Sequence, residues 1–329
     1  MSKDAGLSKS VLDLDCSVEV ARIGARLREL LATKLHKRGL VVAMSGGIDS
    51  SVSAALAVAA IGPNKLFGLL LPEKDSSPDS LRRGKLLAEH LGIEYLVQDI
   101  APTLEAVGCY RWYDEAIQKE FPAFGPGWKS KIVIKGGLER RYNHFRLIVE
   151  SPNGENSERR LELKTYLQIV AATNYKQRIR KSIEYFHADR LNYAVVGTPN
   201  RLEYDQGFFV KNGDGTADVK PIAHLYKSQI YALARHLGLP EEICSAVPTT
   251  DTYSLVQGQD EFYFGLPYQQ MDLALWAYNH GLPAAELAQG LDIPEARAQA
   301  VYTDIEAKRR TTRYLHGGAA LIEFVGGVG

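Results

Sequence analysis

Apolar side chains recur at helical spacing through residues 17–37, with Arg, Lys and Glu between them, and this predicts an amphipathic helix. A short apolar run follows, GLVVAMS (39–45), then the turn GGIDSS and a run of small residues that ends at Gly62. That order predicts a strand, a glycine turn and a helix. The pattern then repeats. KLFGLLL (65–71) predicts a strand, Ser77 to Leu91 a helix stopping at Gly92, and IEYLVQD (93–99) a further strand. Strands and helices alternating in this rhythm predict an α/β fold with a doubly wound parallel sheet.

The rhythm breaks between residues 105 and 170. KIVIK (131–135), NHFRLIVE (143–150) and ERRLELKT (158–165) alternate as strands do, and PNGENS between the last two is a turn signal. These segments predict a small antiparallel insertion. The α/β rhythm resumes with a helix over 175–188, a strand over 191–198 and a helix over 228–238, closed by Gly238 and Pro240. Residues 272–310 predict a helical C-terminal tail. Its stretch PAAELAQGLDIPEARAQAVYTDI has the cadence of a helix-turn-helix. It carries few basic and amide residues, so a helical hairpin packed on the domain is the expectation. The chain therefore divides into residues 1–104, an insertion at 105–170, a second α/β part at 171–271 and the tail at 272–329.

Composition narrows the function classes. The 329 residues carry 39 Lys and Arg against 39 Asp and Glu, a formal net charge of zero, which argues against a nucleic-acid or membrane-surface binder. Cys16, Cys109 and Cys244 lie far apart and offer neither a disulfide framework nor a CxxC knuckle. The eight histidines show no HExxH or paired metal spacing, so zinc is not expected. The N-terminal stretch lacks a signal-peptide core, and the longest apolar run falls well short of the roughly 20 residues that span a bilayer. A soluble, cytoplasmic protein is expected.

The sharpest local chemistry is the loop from Ser45 to Ser51, SGGIDSS, where a strand hands over to a helix. Gly46 and Gly47 let the backbone turn and present amide hydrogens, and the helix N-terminus adds partial positive charge. Ser45, Ser50 and Ser51 can donate hydroxyl hydrogen bonds to the same anion, which makes a phosphate cradle. A carboxylate at Asp49 would repel that phosphate unless a cation lay between, and this points to Mg²⁺. The plain alternative is a structural turn capped by Ser and Asp. No lysine follows the glycines as in GxxxxGK[ST], so this is not a Walker loop.

A second constellation, GTPNRLEYDQGFFVKNGDGTADVKPIAHLYK (197–227), gathers Glu203, Lys211, Asp214, Asp218 and Lys227 after a strand. Carboxylates there can hold Mg²⁺, and lysines can offset charge on a phosphoryl group in transfer. A solvated charged loop is the bland reading, against which stand Phe208-Phe209 and the glycines.

SGGxDS resembles the pyrophosphate loop of the N-type ATP pyrophosphatases, whose fold is adenine nucleotide alpha-hydrolase-like and Rossmann-like. Residues 197–227 resemble the NAD synthetase family, whose pattern GTxxxxExxxGFFTKxGDGxxDxxPIxxLxK is reproduced in every spacing, with Val210 where the family has Thr. LARHLGLPEEICSAVPTTD, LLLPEKDSSPDS and NYKQRIR (174–180) also resemble family segments. QGQDE, ending at Asp260-Glu261, runs one residue longer than the family's QTDE.

The resemblance implies an ammonia-dependent, AMP-forming ligase that converts deamido-NAD to NAD through an acyl-adenylate. The same chemistry on another carboxylic acid, with the insertion altering specificity, is the alternative. Ser45, Gly46, Gly47, Asp49, Ser50 and Ser51 would hold ATP phosphates, and Asp49 and Glu203 would bind Mg²⁺. Lys227 and Thr249 would contact the phosphates, with Arg178 and Thr198 near ATP. Asn174, Lys211, Asp214 and Asp218 would line the acid's side, with Asp49, Lys211, Asp214, Asp218 and Lys227 as the catalytic set. The family's homodimer is expected as well. Only about 40 residues precede the loop, without a glutaminase domain, so free ammonia or a separate glutaminase subunit would supply nitrogen.

Overall fold

The computed structural model describes residues 7–135, 144–246, 253–255 and 263–326. In chain order the helices are α1 (Cys16–Glu29), α2 (Ile48–Ile61), α3 (Pro78–Leu91), α4 (Ala101–Ala106), α5 (Cys109–Glu120) and α6 (Leu163–Leu191), then α7 (Arg201–Gln206), α8 (Lys227–His236), α9 (Glu241–Cys244), α10 (Tyr268–Asn279), α11 (Ala284–Leu291) and α12 (Glu295–Thr312). The strands are β1 (Leu40–Ala43), β2 (Leu66–Leu70), β3 (Glu94–Val97), β4 (Lys129–Lys135), β5 (His144–Glu150), β6 (Asn156–Arg160) and β7 (Ala194–Val195).

Among the described residues the strands form two sheets. The first is parallel in the order β3-β2-β1-β7. Its central strands are continuous apolar runs because both faces are covered. Leu40, Val42 and Met44 point into a core shared with α1, α2, α3 and α8. Val41, Phe67 and Leu69 point to the opposite core, shared with α4, α5 and the end of α6. After β3 the chain returns to lay β7 on the other side of β1. That reversal places a crevice at the C-terminal ends of β1 and β7, where ligands bind in open α/β sheets.

The second sheet is antiparallel, β4-β5-β6, with Ile132 opposite Leu147 and Leu147 opposite Arg159. The predicted turn is there: Gly154 N donates to Ser151 O at 2.9 Å. The insertion differs from expectation at both margins. Residues 101–120 are largely helical, as α4 and α5, so the sheet itself occupies 129–160. At the far margin β6 stops at Arg160 and α6 begins at Leu163, well ahead of residue 175. ERRLELKT alternates like a strand because Leu161 is the last inward residue of the sheet unit. Tyr166, Ile169, Val170 and Thr173 already carry helical spacing, and Ile169 and Ala172 pack under the sheet with Tyr113, Ile117, Ile132, Leu147 and Val149. At 29 residues α6 is about 43 Å long, a beam joining the insertion to the parallel sheet.

The tail is helical, as expected. α11 and α12 form a hairpin on α10, closing over Met271, Leu275, Leu287, Val301 and Ile305. Two basic residues of α12 turn inward: Arg309 makes a two-pronged pair with Asp205 at 2.5 and 2.7 Å, and Lys308 Nζ donates to Tyr263 O at 2.5 Å. The three cysteines are free thiols, and among the described residues no helix is long and apolar enough to cross a membrane.

Candidate functional site

The crevice at the strand ends opens into a cavity of about 700 Å³. Its floor is the loop after β1. Gly46 has φ +75°, and a Cβ there would collide with the Ser80 carbonyl oxygen, so this turn needs glycine. Arg83 Nε donates to Gly46 O at 3.1 Å and fastens the loop to α3. Gly47 is the N-cap of α2 and has no side chain to take the first amide hydrogens. The 14-residue helix therefore aims its N-terminus at the cavity, a ready anion site.

The serines divide their work. Ser45 Oγ and Ser50 Oγ lie 3.1 Å apart and both residues line the cavity. Ser50 and Ser51, both buried, also donate from Oγ to Gly47 O at 3.0 and 2.8 Å and shape the turn, and of the two only Ser50 lines the cavity.

Asp49 is gripped from two sides. Lys227 Nζ pairs with its Oδ2, and Asn200 Nδ2 donates to its Oδ1 at 3.2 Å. Asn200 also starts α7 with a capping box: its Oδ1 accepts from Glu203 N at 3.1 Å, and its own N–H donates to Glu203 Oε2 at 3.1 Å. One buried asparagine thus sets both carboxylates beside the loop. Burial and the charge of Asp49 push the Glu203 carboxyl up to about 8, against the pull of Lys227. Lys227 is itself buried. Its desolvation is outweighed by Asp49 and Glu203, and the ammonium is held above its ordinary range. It occupies the first turn of α8, where the buried Asp272 accepts from Lys227 N at 3.1 Å and Ser228 N at 2.7 Å. Burial raises the Asp272 carboxyl to about 6.

Along α6, Tyr166, Val170, Asn174, Gln177, Lys181 and Glu184 present one face to the cavity. Arg178 also lines it, and its Nε donates to Lys211 O at 3.3 Å. Lys181 Nζ meets Glu184 Oε2 at 2.6 Å, and burial raises the Glu184 carboxyl despite that partner. Thr198, Lys211 and Asp214 line the cavity. Lys211 Nζ donates to Tyr314 O at 3.1 Å and Gly317 O at 3.2 Å, so the tail clips this loop. Gly207, at φ +73°, lies where a Cβ would strike Thr312 of α12.

The structure thus brings Ser45, Gly46, Gly47, Asp49, Ser50, Asn174, Arg178, Thr198, Glu203, Lys211, Asp214 and Lys227 to one cavity. Asp218 is not among its lining residues. Its carboxylate accepts from Val195 N at 2.7 Å and from Tyr185 Oη at 3.5 Å, which ties the loop to the edge of β7. Thr249 and the Asp260-Glu261 segment lie outside the described residues. The residues missed by sequence reasoning are Asn200, Arg83 and the Lys181–Glu184 pair. Asn200 had a signal in the N-x-x-E capping spacing; the others read as helix-surface charges.

Among the described residues no group of three or more His, Cys, Asp or Glu could hold a metal alone. Two carboxylates at a phosphate cradle nevertheless suit Mg²⁺, which takes one or two protein carboxylates and completes its shell with phosphate oxygens and water.

A helix-terminal phosphate cradle, an acidic pair and a buried lysine at a topological switch point define a site for nucleotide phosphate chemistry on an α/β scaffold. The model of the NAD synthase family matches residues 19–121 and 149–313, and the chain belongs to that family. It is 58% identical over 317 residues to an NH(3)-dependent NAD(+) synthetase of Rhizobium meliloti strain 1021, covering 96% of this chain and 95% of that one. Solved structures with the same fold include an NMN synthetase from Francisella tularensis and an NH3-dependent NAD synthetase from Campylobacter jejuni. The first has a TM-score of 0.65 at 23% identity, covering 95% of this chain and all of that one. The second has a TM-score of 0.61 at 22% identity, covering 94% of this chain and all of that one. The matched segments leave out residues 122–148, which contain β4 and most of β5.

Proposed function

We propose that this chain is an ATP-dependent ligase that converts deamido-NAD to NAD with ammonia, releasing AMP and pyrophosphate. The observation that carries the reading is the Asn200-centred arrangement of Asp49, Glu203 and Lys227 at the mouth of the Ser45–Ser51 loop. Family membership and the Rhizobium relative's name support the choice of acid.

The loop amides and the hydroxyls of Ser45 and Ser50 bind the β and γ phosphates, which leave together as pyrophosphate. Asp49 and Glu203 would hold Mg²⁺, which when bound neutralises phosphate charge. Lys227 exchanges its bond to Asp49 for a phosphate oxygen and offsets the charge that grows as the α-phosphorus is attacked. Arg178 and Thr198 flank the nucleotide. The nicotinate carboxylate attacks the α-phosphorus; an O–P bond forms and the bond to pyrophosphate breaks. Ammonia then attacks the activated carbonyl carbon, and AMP leaves with one oxygen of the former carboxylate. A free carboxylate has no adequate leaving group, and adenylation supplies one.

Asn174, Lys211 and Asp214 serve the acid and ammonia side, while Asp218 supports the loop that carries them. Most of the acceleration comes from holding the two substrates in line. The homodimer of the family, a cytoplasmic location and nitrogen from free ammonia or a separate glutaminase subunit complete the proposal.

The test is AMP release with Mg²⁺-ATP and ammonium, comparing deamido-NAD, nicotinate mononucleotide, other carboxylic acids and no acid. NAD and AMP formed in equal amounts with deamido-NAD are expected. AMP formed only with another acid would reject the substrate assignment.

A further inference from the structure

The cavity has two apolar zones separated by its charged middle. One lies at the strand ends: Met44, Leu70, Leu71 and Val196, beside the phosphate loop. The other lies at the N-terminal end of α6: Phe145 of β5, with Tyr166, Val170 and Tyr253. Phe145 and Tyr166 are stacked, with ring centroids 3.9 Å apart and planes inclined by 19°. Phe145 is held in register by its backbone, Leu161 N donating to Phe145 O at 2.9 Å. The sheet that carries it stands on Ile132, Leu147, Val149 and Ile169, all fully buried. A ring pair on such a support is a rigid wall.

Helix geometry separates the zones. Tyr166 precedes Arg178 and Arg180 by 12 and 14 residues, which places it about 18–21 Å up the helix axis from them. Arg180 marks the strand ends, since its Nε donates to Leu71 O at 3.2 Å. A triphosphate anchored at the Ser45–Ser51 loop has the near zone beside it for its adenine. The far zone is left for a second planar group, on the other side of Asn174 and Gln177. A dinucleotide carries a ring at each end, so one ring can reach that wall while its carboxylate meets the α-phosphate.

We infer that the stacked Phe145–Tyr166 pair is a specificity-determining wall for the acid substrate, receiving a planar heteroaromatic ring of the dinucleotide through a residue that lies outside the segments matched by the family model. This rests on the ligase reading. It also assigns the inserted sheet a task, since Phe145 reaches the cavity only because β5 is there.

Calorimetric titration of deamido-NAD and of Mg²⁺-ATP, with steady-state kinetics beside it, tests the inference. Phe145→Ala and Tyr166→Ala should each weaken deamido-NAD binding and raise its KM by about five- to tenfold, the size of a lost ring contact. ATP affinity and kcat should stay within about twofold, Phe145→Trp should restore the acid's affinity, and Tyr166→Phe should leave it unchanged. Equal loss on ATP, or no loss on either ligand from both alanine variants, would overturn it. A wild-type protein that binds deamido-NAD yet releases no AMP would reject the ligase reading alone, and the binding comparison would still decide the ring site. Matching thermal transitions of Phe145→Trp and the wild type guard against a folding effect.

Discussion

Two regions face each other across the cavity, and they are built differently. The β1–α2 side is backbone and charge: a glycine turn, two hydroxyls, the end of a helix dipole, and Asp49 held by Lys227 and Asn200. The β4–β6 side is a small sheet presenting Phe145 toward Tyr166, with its own apolar core and little charge toward the cavity. The first lies inside the segments matched by the family model; most of the strands supplying the second lie outside them. Chemistry that must stabilise charge is placed where the fold converges amides and a dipole. Selection among acids can be added as a separately packed unit along α6.

The largest expected break of that contrast is on the first side. Asp49→Ala removes the partner of a buried ammonium and one proposed Mg²⁺ ligand, so AMP formation should fall by about 10³-fold or more, while deamido-NAD binding measured by calorimetry is largely kept. The opposite side should break the opposite way. Leu147→Ala empties a fully buried position in the inserted sheet and should cost about 2–5 kcal/mol in stability by denaturant titration, with acid binding lost before ATP binding. If ATP binding fails first, the two sides are one unit and the contrast is wrong.

Asp218 sharpens the boundary between site and support. Asp218→Ala leaves Val195 N–H without its acceptor at the sheet edge and should cost about 1–3 kcal/mol, with the KM for the acid unchanged in the folded fraction. A raised KM with unaltered stability would return Asp218 to the substrate's side.

Glu203 gives the most diagnostic effect. Its carboxyl is raised to about 8 in the folded protein, from an ordinary value of 4.5. The folded state therefore holds a proton that the unfolded chain has released, and this group's contribution to stability is complete below 4.5 and lost as pH rises through about 8. Thermal melts without Mg²⁺ or ATP should fall across that window, and Glu203→Gln should flatten the fall. Adding Mg²⁺-ATP should release protons near pH 7 in the wild type and fewer in Glu203→Gln.

The parallel half was legible because its signals are local. LVVA and LFGLL are buried on both faces, and SGGIDSS sits where strand meets helix. The sites of Glu203 and Lys227 were legible through spacing, although their meeting at Asp49 is tertiary. Asn200 was not legible as a bridge: a capping residue looks the same whether or not its amide reaches a carboxylate 151 positions away. The start of α6 was hidden by alternation that continues from β6 through Leu161: Leu163 and Leu167, both exposed on the helix, fall at the positions that a continued strand would turn inward. Asp218 looked like its acidic neighbours in the glycine-rich loop. Only the fold shows that its carboxylate turns back to the backbone of β7.

In the proposed reaction a carboxylate oxygen attacks the α-phosphorus of ATP held at the Ser45–Ser51 loop. Deamido-NAD labelled with ¹⁸O in the nicotinate carboxylate, turned over with Mg²⁺-ATP and ammonium, tests it by mass spectrometry of the products. One labelled oxygen in AMP and none in pyrophosphate are expected. Label in orthophosphate or pyrophosphate, with unlabelled AMP, would contradict it.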